Sequence, residues 1–279
     1  ERTRPDKEDD RTRHMLALGA QTGPVFLTYR SDTRIDQLTQ RATSGTPTAD
    51  FTAPDGVSHT LWRVGGADRD AVVAAFAHVP ALYIADGHHR AASAARARAA
   101  RPGAVEAATM LAVAFPDDQV QILPYNRIVK DLGALTPDQF LHAVRERFDI
   151  EPGPATPARR GEIAMYFQRA WQTLRPCTNP DPGDAIGSLD VSILQEQLLA
   201  AALRIADVRT DKRIDFVGGA RGTKALEQLV DSGKAAVAFS LYPVSVADLM
   251  RVSDAGAIMP PKSTWFEPKL RDGLLIHLI

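Results

Sequence analysis

The chain of 279 residues carries 33 Lys and Arg against 34 Asp and Glu, is 44% hydrophobic and 24% charged, and holds one cysteine, Cys177. A balance this close to neutral, with no basic run, disfavours nucleic acid as the main partner, while the length suffices for two domains. One cysteine allows no internal disulfide and no apolar run approaches the ~20 residues of a membrane helix, so a cytoplasmic protein without a membrane partner is expected.

In chain order, Lys7, Glu8, Asp9, Asp10 and Arg11 lead a helical stretch ending near Gly19, with carboxylates at the helix end that favours them. Pro24 to Tyr29 predicts a strand, Arg34 to Arg41 a short helix, Gly45 to Gly56 a loop, and Thr60 to Val64 a half-buried strand. Asp68 can cap a helix that turns Val72, Val73 and Phe76 inward. Ala81 to Ala85 reads as a buried strand, and the Ala/Arg run from Ala91 to Ala100 as a helix.

Between that strand and helix, Asp86-Gly87-His88-His89-Arg90 gathers an acid, a glycine, two imidazoles and a guanidinium. Gly87 frees the backbone, the N–H groups opening a helix favour an anion, and Arg90 can grip two phosphate oxygens. The pattern predicts a phosphate cradle. The plainer alternative makes Asp86 a helix cap, Arg90 a solvated side chain and one histidine a packing residue. A metal held by Asp86 with His88 or His89 ranks below phosphate binding, because no further ligand cluster supports it.

Downstream, Ala107 to Phe115 predicts a buried strand, and Val120 to Val129 an extended segment broken at Pro124. Tyr125, Asn126 and Arg127 could line a site, or serve the core and surface. A helix is expected from Thr136 to Phe148, a hairpin around Ile163 to Trp171, a helix from Asp190 to Leu203 and strands at Ile214 to Val217 and Ala235 to Tyr242. The glycines from Gly218 to Gly222 suit a packing turn or a second phosphate. Ser245 opens a short helix, and three prolines keep Met259 to Leu270 non-helical before a closing strand from Leu274 to Ile279. Lys262, Ser263 and Thr264 either meet phosphate or sit in a loop pinned by Trp265 and Phe266. Strands alternating with helices predict an α/β (α+β) chain with mixed sheets, divided near residue 132 into residues 1–132 and 133–279.

The run IADGHHRAASA resembles the phosphate-binding loop of the ParB/sulfiredoxin-like nucleotide-binding superfamily. Taken with the opening RPDKEDDR and the closing MPPKSTWFEPKL, ADGHHR resembles an uncharacterised bacterial and archaeal family similar to the free serine kinases. The resemblance spans nearly the whole chain. It implies a ParB/sulfiredoxin-like core over residues 1–132, a family-specific α/β domain over 133–279, ATP or ADP with Mg2+, and phosphoryl transfer to a small hydroxylated metabolite such as free L-serine. It makes Asp86, His88, His89, Arg90 and Glu8 the catalytic set, with the metal on Asp86. Gly87, His88, His89, Arg90, Lys7, Lys262, Ser263 and Thr264 would hold the nucleotide. Because RPDKEDDR is internal in that family, this chain is expected to be the C-terminal portion of a longer protein. A ParB-like nucleotide-binding switch or interaction module is the alternative to an enzyme.

Overall fold

Pro5 in the first turn, the acids Asp6 and Glu8 behind it, and Gly19 in a left-handed conformation at φ 63° delimit helix α1, Pro5–Leu18. The computed structural model describes residues 3–279. Helix α1 begins a unit made of Arg4–Val120 and Leu270–Ile279. After β1 (Ala20–Gln21) and β2 (Val25–Tyr29) come α2 (Thr33–Thr43), β3 (Ala49–Thr52), β4 (Ser58–Leu61) and α3 (Gly66–Phe76). Then follow β5 (Tyr83–Asp86), α4 (His88–Ala100) and β6 (Ala112–Pro116). All five residues of β2 are buried, as befits the centre of a three-stranded sheet ordered β5-β2-β6, antiparallel to β5 and parallel to β6. The closing residues return to this unit, where His277–Leu278 pairs antiparallel with β1.

Two expectations for this unit need correction. The stretch predicted as a loop from Gly45 to Gly56 contains β3, an exposed strand whose polar sequence reads as loop and which exists through its pairing with β4. Helix α3 starts at Gly65 without a side-chain cap; Asp68 is instead ion-paired with Arg41 on α2. Val73 is 64% exposed, and the inward face of α3 runs through Ala75 and Phe76 against Tyr29 and Ile35.

Gln121–Lys269 form the second unit. It contains β7 (Gln121–Leu123), β8 (Tyr125–Val129), α5 (Pro137–Arg145), β9 (Phe148–Pro152), β10 (Ile163–Phe167) and β11 (Ala170–Pro176). These are followed by α6 (Asp190–Leu194), β12 (Ile214–Gly218), α7 (Lys224–Asp231), β13 (Val237–Leu241), α8 (Val246–Asp254) and β14 (Trp265–Glu267). Six strands form an antiparallel sheet ordered β12-β8-β13-β10-β11-β9, and β14 pairs with β7. Strand β10 is buried at every residue because both faces are covered: Ile163, Met165 and Phe167 face the main core, and Tyr166 meets Leu226 of α7.

The mixed α and β class matches the expectation from sequence, but the division near residue 132 does not match the units, which part between Val120 and Gln121. Strand β8 lies between β12 and β13, whose residues come more than eighty positions later, so local sequence carries no trace of that pairing. The helix expected as far as Phe148 ends at Arg145, and Phe148 opens β9. The helix expected over Asp190 to Leu203 is α6 followed by a π-helical turn, Gln195–Ala200. Among the described residues no helix is long and apolar enough to cross a membrane.

Burial makes one carboxylate of this unit pH-sensitive. Asp190 is 6% exposed, and desolvation pushes its pKa up to about 6 against the opposing effects of the Gly161 N–H, accepted at 2.9 Å, and the charge of Arg160. A folded-state value above the unfolded one means that the folded protein holds the proton more tightly. The ionised form therefore lowers stability at neutral pH, and that cost disappears as pH falls from about 6 towards 4. Asn in this position keeps an acceptor for Gly161 without the charge. Asp190→Asn is expected to stabilise the fold by about 1–3 kcal/mol near pH 7 and by much less near pH 4, as read from thermal unfolding at both. An equal gain at both would contradict this account.

Candidate functional site

The strand-to-helix turn is built as its residue types require. Gly87 adopts φ 93° between β5 and α4, a left-handed conformation that side chains disfavour, and its N–H donates to Asp86 Oδ1 at 2.7 Å. No side chain caps α4, and N–H groups at the start of a helix favour an anion. Arg90 folds its guanidinium back over Gly87, where a Cβ would lie 2.9 Å from Nε and 3.0 Å from Nη2. The Nε–H of Arg90 is buried and has no hydrogen-bond partner. A buried donor left unpaired costs about 1–3 kcal/mol, so this turn is incomplete without an acceptor.

A second glycine makes room for the same side chain. A Cβ on Gly23 would come 3.3 Å from Arg90 Cδ and would strike the carboxylate of Asp272. The closing segment reaches the turn in this way, fixed by the Gly273 N–H donating to Thr22 O at 2.7 Å. Sequence reasoning found neither Gly23 nor Asp272. Gly23 carried only a turn signal ahead of β2, and Asp272 carried none.

Helix α1 lies beside α4 and runs in the same direction. The Arg4 N–H donates to His89 Nε2 at 3.1 Å, Ser93 Oγ donates to Glu8 O at 3.3 Å, and Arg101 Nη2 donates to Leu16 O at 2.8 Å. Each of the three joins residues 85 apart, so the helices keep one register from end to end. Ser93, Ala94 and Ala97 are buried along this seam, so the alanine run serves close approach as well as helix propensity. The two N-termini consequently open at the same end, next to the turn. Each carries roughly half a positive charge, and an anion there gains about 0.3–1 kcal/mol from each helix.

The predicted residues are distributed unevenly around this point. Asp86, Gly87, His88, His89 and Arg90 form the turn and the first turn of α4. His89 accepts through Nε2, which assigns its ring proton to Nδ1 and leaves that N–H as its donor. Lys7 is exposed in α1, and Glu8 approaches Arg96 at 3.5 Å, while Asp9 pairs with the same guanidinium at 2.6 Å. Those carboxylates raise the pKa of Arg96 through the hydrogen bond to Asp9.

Lys262, Ser263 and Thr264 belong to the second unit. The Ser263 hydroxyl is buried and donates to Pro260 O at 2.7 Å, and the Lys262 ammonium sits over the Tyr125 ring at 5.6 Å. Trp265 fills the space above Gly218, and Pro124 the space above Gly219, which makes that glycine turn a packing feature.

A family model described as "Protein of unknown function (DUF1015)" matches residues 1–192. No curated protein matches the chain. Among solved structures, SbnI with a C-terminal truncation, from Staphylococcus aureus, is 14% identical at a TM-score of 0.51, over 100% of this chain and 82% of that one. The two share a fold. A free serine kinase in complex with AMP is 14% identical at a TM-score of 0.46, covering 95% of this chain and 81% of that chain. A conserved hypothetical protein from Pyrococcus furiosus is 13% identical at a TM-score of 0.45, covering 97% and 87%.

The packing of Arg90 on Gly87 gives a direct test. Gly87→Ala is expected to destabilise the protein by about 1–2 kcal/mol from backbone strain, while the Arg90 guanidinium, at the end of a flexible side chain, moves aside at little cost. Gly87→Asn, better tolerated in the left-handed region, should recover part of the strain. Thermal unfolding of both variants reads this, and an Ala variant as stable as the parent would refute the geometry.

Proposed function

The chain belongs to the DUF1015 family, and we propose that it is a nucleotide-dependent kinase of small molecules, moving the terminal phosphoryl group of ATP or ADP to a hydroxylated metabolite such as free L-serine. The observation that carries this reading is the buried, unpartnered Arg90 Nε–H at the point where two parallel helices begin. A guanidinium donor, the N–H end of a helix and two like-directed helix dipoles all favour a multiply charged acceptor over a neutral one. The resemblance of ADGHHR to a nucleotide phosphate loop supports the choice of phosphate, and the resemblance to the free serine kinases supports the acceptor.

In this reading Gly87, His88, His89 and Arg90 hold the phosphates. The acceptor oxygen bonds to phosphorus as the bond to the leaving nucleotide oxygen breaks, and the acceptor proton passes to a carboxylate, a role we assign to Glu8. Arg90 neutralises charge that grows on the transferred group. Among the described residues no group of three or more His, Cys, Asp or Glu side chains could hold a metal ion. Magnesium in such reactions takes one or two carboxylates together with substrate phosphates and water, and Asp86 would be its protein ligand here.

Nucleotide binding by calorimetry and phosphorylated product by phosphorus NMR test the proposal on the full chain. Arg90→Ala is expected to lower turnover by about 10³–10⁵-fold with its unfolding transition retained, and Arg90→Lys to restore a minor part. Parental turnover in a folded Arg90→Ala protein, or no nucleotide binding by the parent, would overturn it.

A further inference from the structure

The second unit contains a cavity of about 230 Å³ unconnected with the reading of the turn. At ~30 Å³ per water it has room for roughly seven or eight waters, or one small organic molecule. Its polar lining is Arg127, Ser192, Gln195 and Glu196, set among apolar groups that include Val191 and Val208.

Arg127 is 2% exposed. Its guanidinium donates to two backbone carbonyls, Tyr125 O and Lys262 O, the latter at 3.0 Å, and lies over the Phe216 ring at 5.5 Å. No carboxylate pairs with it among the described residues. Burial without an anion pushes its pKa down to about 9, which still leaves a cation at neutral pH. A buried charge without a counter-ion is expensive, and an anion entering the cavity would offset that cost.

A second group in the same lining is also unfinished. Gln195 Nε2 donates to Ile205 O at 2.8 Å and to Ala206 O at 3.3 Å, while Oε1 is buried with no partner. Gln195 also begins the π-helical turn, and such widened turns often mark binding sites because they re-aim side chains from a packed helix. One cation and one orphaned acceptor require a ligand that supplies one anionic group and one donor. Glu196, exposed at the edge, disfavours a second negative charge, which argues against phosphate and for a monoanion.

We propose that this cavity is a binding site for a small monocarboxylate with a hydrogen-bond donor on the adjacent carbon, the carboxylate on Arg127 and the donor on Gln195. The site needs nothing from the turn at Gly87, and its test uses no nucleotide.

The full chain is titrated by calorimetry and by protein NMR with glycolate, glycine, acetate, methylamine and inorganic phosphate. Glycolate or glycine should bind, acetate more weakly for want of a donor, and methylamine and phosphate not measurably. Arg127→Met should weaken binding by roughly tenfold to a hundredfold, the loss of a charged hydrogen bond. If that variant unfolds, Ile258→Trp, substituting a half-exposed residue of the lining, should block binding while the fold survives. Absence of binding by every carboxylate, phosphate binding more tightly than glycolate, or full binding in a folded Arg127→Met or Ile258→Trp protein would each overturn the proposal.

Discussion

Two helices that run side by side in the same direction set the terms for the first unit. Parallel alignment places like ends together, and α1 with α4 holds that arrangement through the Arg4 amide on His89, Ser93 on Glu8 and Arg101 on Leu16. The seam is possible because serine and alanine line α4 where it meets Met15. Electrostatically the arrangement is unfavourable, and Asp6 and Glu8 in the first turn of α1 oppose it. The like ends meet where Gly87 turns the chain and where Arg90 holds a donor without a partner. The proposed affinity for an anion thus rests on how these two helices are paired.

The second unit shows the same logic with different materials. Its six-stranded sheet is covered on both faces, and its core combines apolar side chains of β10 and β13 with those of α5, α6 and the residues that follow α6. Into this setting the chain introduces the large, charged side chain of Arg127, held by carbonyl oxygens instead of a carboxylate. One of those carbonyls belongs to Lys262, in the proline-rich loop that Trp265 and Phe266 also anchor. The arginine therefore secures the loop and charges the cavity together.

What the sequence disclosed follows the range of the interactions. The turn at Asp86 to Arg90 was legible because strand, glycine and helix are local signals. Thr136 and Ser245 were legible as helix starts for the same reason, and both form capping boxes. The roles of Gly23 and Asp272 were hidden, since each depends on a segment far away in the chain. Strand β8 looked like the end of a domain because its partners β12 and β13 come much later. Arg127 was singled out only as one of three polar neighbours. Nothing nearby indicated that β8 would be flanked on both sides and bury it.

The pairing of His277–Leu278 with β1 has a consequence for the order of events during synthesis. The chain leaves its first unit at Val120 and rejoins it at Leu270, after the whole of the second unit has been made. A nascent chain on the ribosome can complete the six-stranded sheet while β1 still lacks its partner and the neighbourhood of Arg90 lacks Asp272. Such long-range closure is slow relative to local folding, so the first unit waits, partly formed, until residues 270–279 emerge. The turn at Gly87, made before the second unit, gains Asp272 as a neighbour only after that unit.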